Sequence, residues 1–266
     1  MNIFIERLKT KLLSIKSRLI KSKAILLISW CENHNYNFFD KDSELILKQK
    51  SANSEIILRK NSSDIAVFQQ VFVKNEYARV IKIIKKEILE PKLFIDCGAN
   101  IGLTTIKLAQ HFPNTKIIAI EPELSNFKQL VRNSICFHEV NCLQHAVWSK
   151  KCQIKINNHF RDGLDWSKQT VPSSTGEITA LTIHDFIDLG GHRYIDFLKI
   201  DIEGTEKEIF KDIETAQFLS KTKILALEIH DEFKIRPHIY NILRAYNFKF
   251  FNDVELTIGV NKNLLS

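Results

Sequence analysis

The stretch Leu93-Phe-Ile-Asp-Cys-Gly-Ala-Asn-Ile-Gly102 decides how this chain reads. Residues 93–97 are apolar except for Asp96, and two glycines, Gly98 and Gly102, follow at once. A helix-forming run then extends from about Leu103 to His111. Strand, glycine turn and helix form the opening unit of a parallel α/β sheet, and its turn is where backbone comes close to a ligand. The unit repeats downstream. Pro113 and Asn114 end the first helix, and residues 116–120 form a second apolar strand ending in Glu121-Pro122. Leu124, Phe127, Leu130, Val131 and Ile135 recur at helical spacing, and residues 140–148 read as a third strand.

Residues 152–156 read as a further strand, and 159–176, rich in Gly, Pro and Ser and poor in aliphatics, as a mobile loop. A short helix is expected over 182–189, and a fourth strand over 197–202. Thr205 and Glu208 have the spacing of a capping box that opens a helix after Gly204. Residues 223–229 read as a fifth strand. Pro237 suits the first turn of a helix whose inner face is Ile239, Ile242, Leu243 and Tyr246. Asn247 ends that helix, and 248–251 with 255–260 form a closing hairpin. Alternating strands and helices predict an α/β fold with a doubly wound sheet. Seven mostly parallel strands flanked by helices, with a hairpin placing one antiparallel strand in the sheet, is the layout of the Rossmann-like methyltransferase fold.

The chain has 266 residues, enough for one large α/β domain, with 44% hydrophobic and 26% charged residues, as in ordinary globular proteins. Its apolar runs fall short of the roughly 18–20 residues of a spanning helix. The five cysteines include no Cys-x-x-Cys pair, which excludes a zinc module or disulfide framework and fits a reducing compartment. The net charge of +7 is concentrated at one end. Residues 1–30 carry seven basic side chains against Glu6, whereas the rest holds 31 basic and 30 acidic residues. A body so close to neutral offers no basic groove for nucleic acid.

Ile5, Leu8, Leu12, Ile15 and Leu19 in the basic segment have helical spacing. This predicts an N-terminal helical extension that packs on the domain or on a second copy as a homodimer. The alternative is peripheral contact of residues 1–30 with an anionic membrane face. Residues 64–90 read as one or two helices, and 45–47 with 56–58 as a small hairpin. The organisation is therefore 1–58 as basic helix and cap, and 59–266 as the main domain.

The glycine loop excludes a dinucleotide fingerprint, because Asn100 stands at the middle glycine of G-x-G-x-x-G and no third glycine follows in step. A carboxylate at Asp96 repels phosphate and suits an ammonium group. Glu121, 25 positions later at the next strand tip, can accept hydrogen bonds from ribose hydroxyls. Helix capping would account for either carboxylate alone. Together they describe a ligand with an amine, a ribose and no phosphate, namely S-adenosylmethionine (SAM). Asp201 and Glu203 would project from one face if the fourth strand runs through both.

Several stretches in order resemble the FkbM family of SAM-dependent methyltransferases. They are Phe94-Ile-Asp-Cys-Gly-Ala-Asn-Ile-Gly102, Ile120-Glu-Pro-Glu-Leu-Ser-Asn-Phe127, Gln144-His-Ala-Val-Trp148, Leu181-Thr-Ile-His-Asp185 and Lys199-Ile-Asp-Ile-Glu-Gly-Thr-Glu206. Ser63-Asp64-Ile65, Val67-Phe68 and Glu76-Tyr77 are similar to the family's lead-in. The resemblance covers about 59–230 and departs at Thr205, where Ala is usual, and at Ile183-His184, where Leu-Asp is common. It implies methyl transfer from SAM to a hydroxyl of a sugar, polysaccharide or related small molecule; SAM is made in the cytosol, so a cytoplasmic or inner-face location follows, and the near-neutral body argues against a nucleic-acid partner. Asp96, Gly98 and Asn100 would then hold the methionine end, Glu121 the ribose, and His145 and Ala146 would border the adenine, with Ala99, Gly102 and Pro122 also in the cofactor site. Asp201 and Glu203 would face the methyl group, with Asp201 as base and His230 the second candidate. No resident metal is assigned; a divalent ion on Asp201, Glu203 and His230 is the alternative to a base. The other function classes are a nucleic-acid methyltransferase and a non-catalytic SAM-binding scaffold. Trp166, Arg161 and Asp162 are candidate acceptor contacts.

Overall fold

A computed structural model describes residues 24–51, 54–157, 169–173, 176–202, 204–230 and 234–265. The chain divides into two compact units, Met1–Gln69 and Gln70–Ser266.

In the first unit, residues 24–33 are helical (α1), and three antiparallel strands follow. They are β1 (Tyr36–Asp40), β2 (Glu44–Gln49) and β3 (Glu55–Arg59), so the expected hairpin of β2 and β3 gains a third strand. Trp30 of α1 is buried edge-on to Phe68 at 4.9 Å, a favoured aromatic geometry. Phe68 ends α2 (Asp64–Phe68), which is tied to β3 by the Arg59 guanidinium on Asp64, 2.8 Å from Oδ1 and 2.9 Å from Oδ2. A π-helical turn, Gln69–Val73, follows. The basic segment before residue 24 lies outside the described residues. Among those described, no helix is long and apolar enough to cross a membrane.

In the second unit α3 (Ala78–Glu87) comes next, so the helical stretch expected over 64–90 is three pieces. Next come β4 (Leu93–Cys97), α4 (Leu103–His111), β5 (Lys116–Ile120), α5 (Leu124–Ser134) and β6 (Val140–Leu143). Later elements are α6 (Ile183–Gly190), β11 (Ile195–Ile200), α7 (Glu206–Ile209), β12 (Thr222–Glu228), α8 (Arg236–Ala245), β13 (Phe248–Asp253) and β14 (Leu256–Asn261). The seven-stranded sheet has the order β13-β14-β12-β11-β4-β5-β6. Only β14 runs against its neighbours, as the closing hairpin predicts.

Three expectations need correction. The expected third strand over 140–148 is two strands: β6 joins the main sheet, while β7 (Ala146–Val147) opens a second one. That second sheet, ordered β7-β10-β8-β9, includes β8 (Cys152–Asn157), β9 (Gln169–Pro172) and β10 (Ile178–Leu181). Of residues 159–176, read as a mobile loop, 169–172 form β9, which pairs antiparallel with β8 through the backbone, whereas 159–168, 174 and 175 lie outside the described residues. The capping box at Thr205 does not form, because Thr205 has helical backbone angles and no side-chain cap bond. Thr182 and Asp185 make one at α6.

β4 and β11 pair in parallel and are buried at every residue. Phe94 and Phe197 meet edge to face at 5.7 Å across that pair. Central strands of a covered parallel sheet must be apolar on both faces, so their three charges require internal partners. Asp196 finds them at the amino ends of the strands. Its Oδ2 accepts from the backbone N–H groups of Lys92 (2.6 Å) and Leu93 (3.0 Å), and Oδ1 lies 2.7 Å from Lys223 Nζ. Asp196→Ala should lower stability by about 3 kcal/mol, because it leaves a largely buried ammonium and two backbone donors unmatched. Urea unfolding followed by fluorescence checks this.

Candidate functional site

The loop between β4 and α4 is shaped by three consecutive constraints. The N–H groups of Gly98 and Ala99 both donate to Ile120 O, at 3.0 and 2.9 Å, which folds the loop over the end of β5. Gly98 has φ +78°, and a Cβ there would fall 1.7 Å from the carbonyl oxygen of Asp201. Gly102, at φ +87°, lets α4 approach Leu130 of α5, whose Cδ1 would lie 2.6 Å from a side chain. Asn100 between them also takes positive φ, 52°, which asparagine tolerates better than most residues. Its N–H donates to Glu121 Oε2 at 2.8 Å, while Glu123 N–H donates to Oε1 at 3.0 Å. Two backbone donors thus fix the Glu121 carboxylate at the tip of β5. Burial pushes that carboxyl up to about 7 against the pull of the same two donors.

Asp96 is wholly buried and faces its own chain. Thr105 Oγ1 donates to Oδ2 at 2.6 Å, and Lys199 Nζ lies 3.2 Å from Oδ1 as an ionic contact. Asn100 Oδ1 is buried without a hydrogen-bond donor. An unmet buried acceptor costs about 1–3 kcal/mol, and a ligand N–H or O–H supplies what it lacks. An ammonium and ribose hydroxyls fit a loop offering an unmet amide oxygen and a braced carboxylate.

His145 and Ala146 lie where the chain leaves the main sheet for the second. His145 is half-buried with Nδ1 3.0 Å from Thr179 O, and Ala146, buried in β7, pairs with Ala180. Pro122 is half-buried beside Glu121. These positions border the end of β6.

At the carboxyl end of β11 the expected strand through Glu203 is absent, because β11 stops at Ile200. Strand alternation therefore does not set the direction of Asp201, and Glu203 lies outside the described residues, as do Trp166, Arg161 and Asp162. Asp201 is instead positioned by its N–H donating to Cys97 O at 3.1 Å and by Lys199 Nζ 3.4 Å from its Oδ2. Its side chain is 29% exposed, so it can meet a substrate.

The structure adds groups that the motifs left out. Glu228 ends β12, and its carboxylate lies 3.7 Å from Nε2 of the buried His230. The other ring nitrogen of His230, Nδ1, lies 2.5 Å from Oε1 of the buried Glu206 in α7. Ligand atoms of Asp201, Glu228 and His230 lie within 4.8 Å of one another, so among the described residues these three can hold a metal ion; the expected set included Glu203, which lies outside the described residues. Burial pushes the Glu228 carboxyl up to about 9, with the Asp201 carboxylate adding to the shift. Gln70 Nε2 donates to Glu76 and Glu255 at 3.0 and 3.1 Å, and burial also raises the Glu76 carboxyl. The legible signal for Glu228 was its two-residue spacing from His230 at a strand end.

Comparison with known proteins fits this geometry. Residues 96–250 match the methyltransferase FkbM domain, so the chain belongs to the FkbM family of SAM-dependent methyltransferases and is a methyltransferase. Methyltransferase sdnD of Sordaria araneosa is 24% identical over 193 residues, covering 60% of this chain and 74% of its own. The crystal structure of a methyltransferase FkbM from Methylobacillus flagellatus is 17% identical, with a TM-score of 0.43. It aligns with 64% of this chain, which spans 44% of that protein. The M. jannaschii protein TYW2, solved in complex with AdoMet, is 14% identical with a TM-score of 0.39 over 84% of this chain and 85% of its own. Family membership implies SAM as co-substrate.

Gly98→Ala should cost about 2 kcal/mol or more, through left-handed strain and displacement of Asp201 from the loop. Thermal unfolding and the amide spectrum of residues 97–102 and 201 test it.

Proposed function

We propose that the protein is a SAM-dependent O-methyltransferase acting on a hydroxyl of a sugar, polysaccharide or related small molecule. The observation that carries this reading is the partly exposed Asp201 carboxylate held against the glycine loop, with Gly98 in contact with its backbone. In this reading loop 98–102 holds the methionine end, Glu121 accepts from the ribose hydroxyls, and His145 with Ala146 borders the adenine. SAM supplies a methyl group already activated as a sulfonium. The protein's task is then alignment, which is worth about 7–11 kcal/mol in well-oriented systems.

A hydroxyl is a weak nucleophile, and Asp201 accepts its proton as transfer proceeds. His230 stands behind it: Nδ1 faces Glu206 and Nε2 faces Glu228, so the imidazole holds the carboxylate side of the site in place. The Asp201 and Glu255 carboxylates are hydrogen-bond acceptors suited to a polyol, and the Glu228 and Glu76 carboxyls, raised by burial, add oxygens that can donate as well as accept. The convergence of Asp201, Glu228 and His230 favours a second reading of hydroxyl activation, in which these residues hold a divalent ion that lowers the hydroxyl pKa. Transfer that survives exhaustive EDTA treatment removes that second reading.

Asp201→Asn should keep SAM binding and reduce transfer at least about 100-fold, measured with labelled SAM on a panel of sugars and polyols. Full transfer by the variant would overturn the role of Asp201. The Glu121 carboxyl offers a pH test. Ribose hydroxyls donate to its ionised form, so SAM affinity should rise with pH through about 7. From pH 6 to pH 8 the expected gain is about tenfold, one proton being displaced per SAM bound. Calorimetry on the wild type and on Glu121→Gln, which should bind weakly at both pH values, checks the sign.

A further inference from the structure

Lys199 is a lysine one residue from the carboxyl end of a strand buried along its whole length. It sits in β11 opposite Asp96 of β4 and is 3% exposed. Burial alone disfavours its charge, but the carboxylates of Asp96 and Asp201 outweigh that and hold the ammonium well above its ordinary range. The ammonium has three hydrogens to place among Gly98 O and two carboxylates, and the Tyr77 side chain also acts on its charge. Nζ donates to Gly98 O at 2.7 Å and lies 3.2 Å from Asp96 Oδ1 and 3.4 Å from Asp201 Oδ2. These oxygens belong to the strand before the glycine loop, to the loop itself and to the residue at the reaction end. Thr105 holds Asp96 from the other side, so the first turn of α4 joins the same network.

We propose that Lys199 is a positioning residue: its buried ammonium clasps the glycine loop to Asp201 and so sets the cofactor end and the reaction end of the site relative to each other. The inference rests on reading loop 98–102 as the SAM-binding loop. Gly98 packs against the Asp201 carbonyl, and Gly98 O and two carboxylates meet at the ammonium, so oxygen-rich segments of the loop and of the strand end lie side by side. A cation between them turns mutual repulsion into attraction. Asp96, which the sequence points toward the ligand, then acts through Lys199: it holds the ammonium in place rather than opening to solvent.

A natural control lies at the other end of the same strands. Lys223 makes an ion pair with the buried Asp196 and supports the amino ends of β4 and β11, away from the loop. Lys199→Met and Lys223→Met each remove one ammonium from a buried carboxylate. Calorimetric titration with SAM at a temperature where both variants are folded separates position from stability. Lys199→Met should weaken SAM binding by about tenfold or more, as losses of supporting groups around a site commonly do. It should also lose amide-exchange protection at Gly98, Ala99 and Asp201 together, while Lys223→Met binds SAM as the wild type does. Where Lys199→Met does not fold, Lys199→Gln, which keeps a donor for Gly98 O, carries the same expectation. SAM affinity within twofold of wild type in the folded Lys199 variant overturns the proposal, and so does an equal loss in Lys223→Met. A wild type that binds no SAM overturns the functional reading itself.

Discussion

β4 and β11 run side by side with every residue buried, and yet they carry two aspartates and a lysine. A charge in that setting survives only when paired and hydrogen-bonded. Asp196 meets this demand at the amino ends of the strands through two backbone N–H groups and Lys223. Lys199 and Asp96 meet it at the carboxyl ends, where the partners extend beyond the strands into the loop and to Asp201. The satisfaction of these charges therefore fixes both ends of the central strand pair, and one of those ends is the site.

The rest of the site follows from the sheet's direction. Parallel strands deliver their following residues to a single edge, so the tips of β4, β5, β11 and β12 bring Asp96, Glu121, Asp201 and Glu228 to the same end. Each carboxylate meets a different environment there. Glu121 is buried on two backbone donors and pushed up to about 7, Glu228 is pushed to about 9 among other acids, and Asp201 keeps partial exposure. A carboxyl braced by backbone donors, one buried among other acids and one partly open to solvent are thus distinct chemical groups made from the side chains of Asp and Glu by position.

Much of this was readable in the chain. The apolar run before Gly98, the spacing from Asp96 to Glu121 and the closing hairpin led to the right sheet, with its one antiparallel strand. Those features are local: glycine tolerance of positive φ, unbroken apolar strands and helical spacing each act within a few residues. The second sheet was not legible, because β7 and β9 are strands of two and four residues defined by their partners rather than by an apolar pattern of their own. The projection of Asp201 failed for a similar reason. Hydrogen bonding ends β11 at Ile200, and contacts with Cys97 and Lys199 set the position of the aspartate.

The sequence by itself determined the family, the alternation of strands and helices in the main sheet, and the glycine loop with Asp96 and Glu121 beside it, since each depends on residues close together in the chain. Only the tertiary structure decided that Asp96 turns inward to Lys199, that Glu206 backs His230, and that Glu228 joins Asp201. Those pairings span 24 to 103 positions along the chain, and electrostatic need in a dry sheet selects them only once the strands lie side by side.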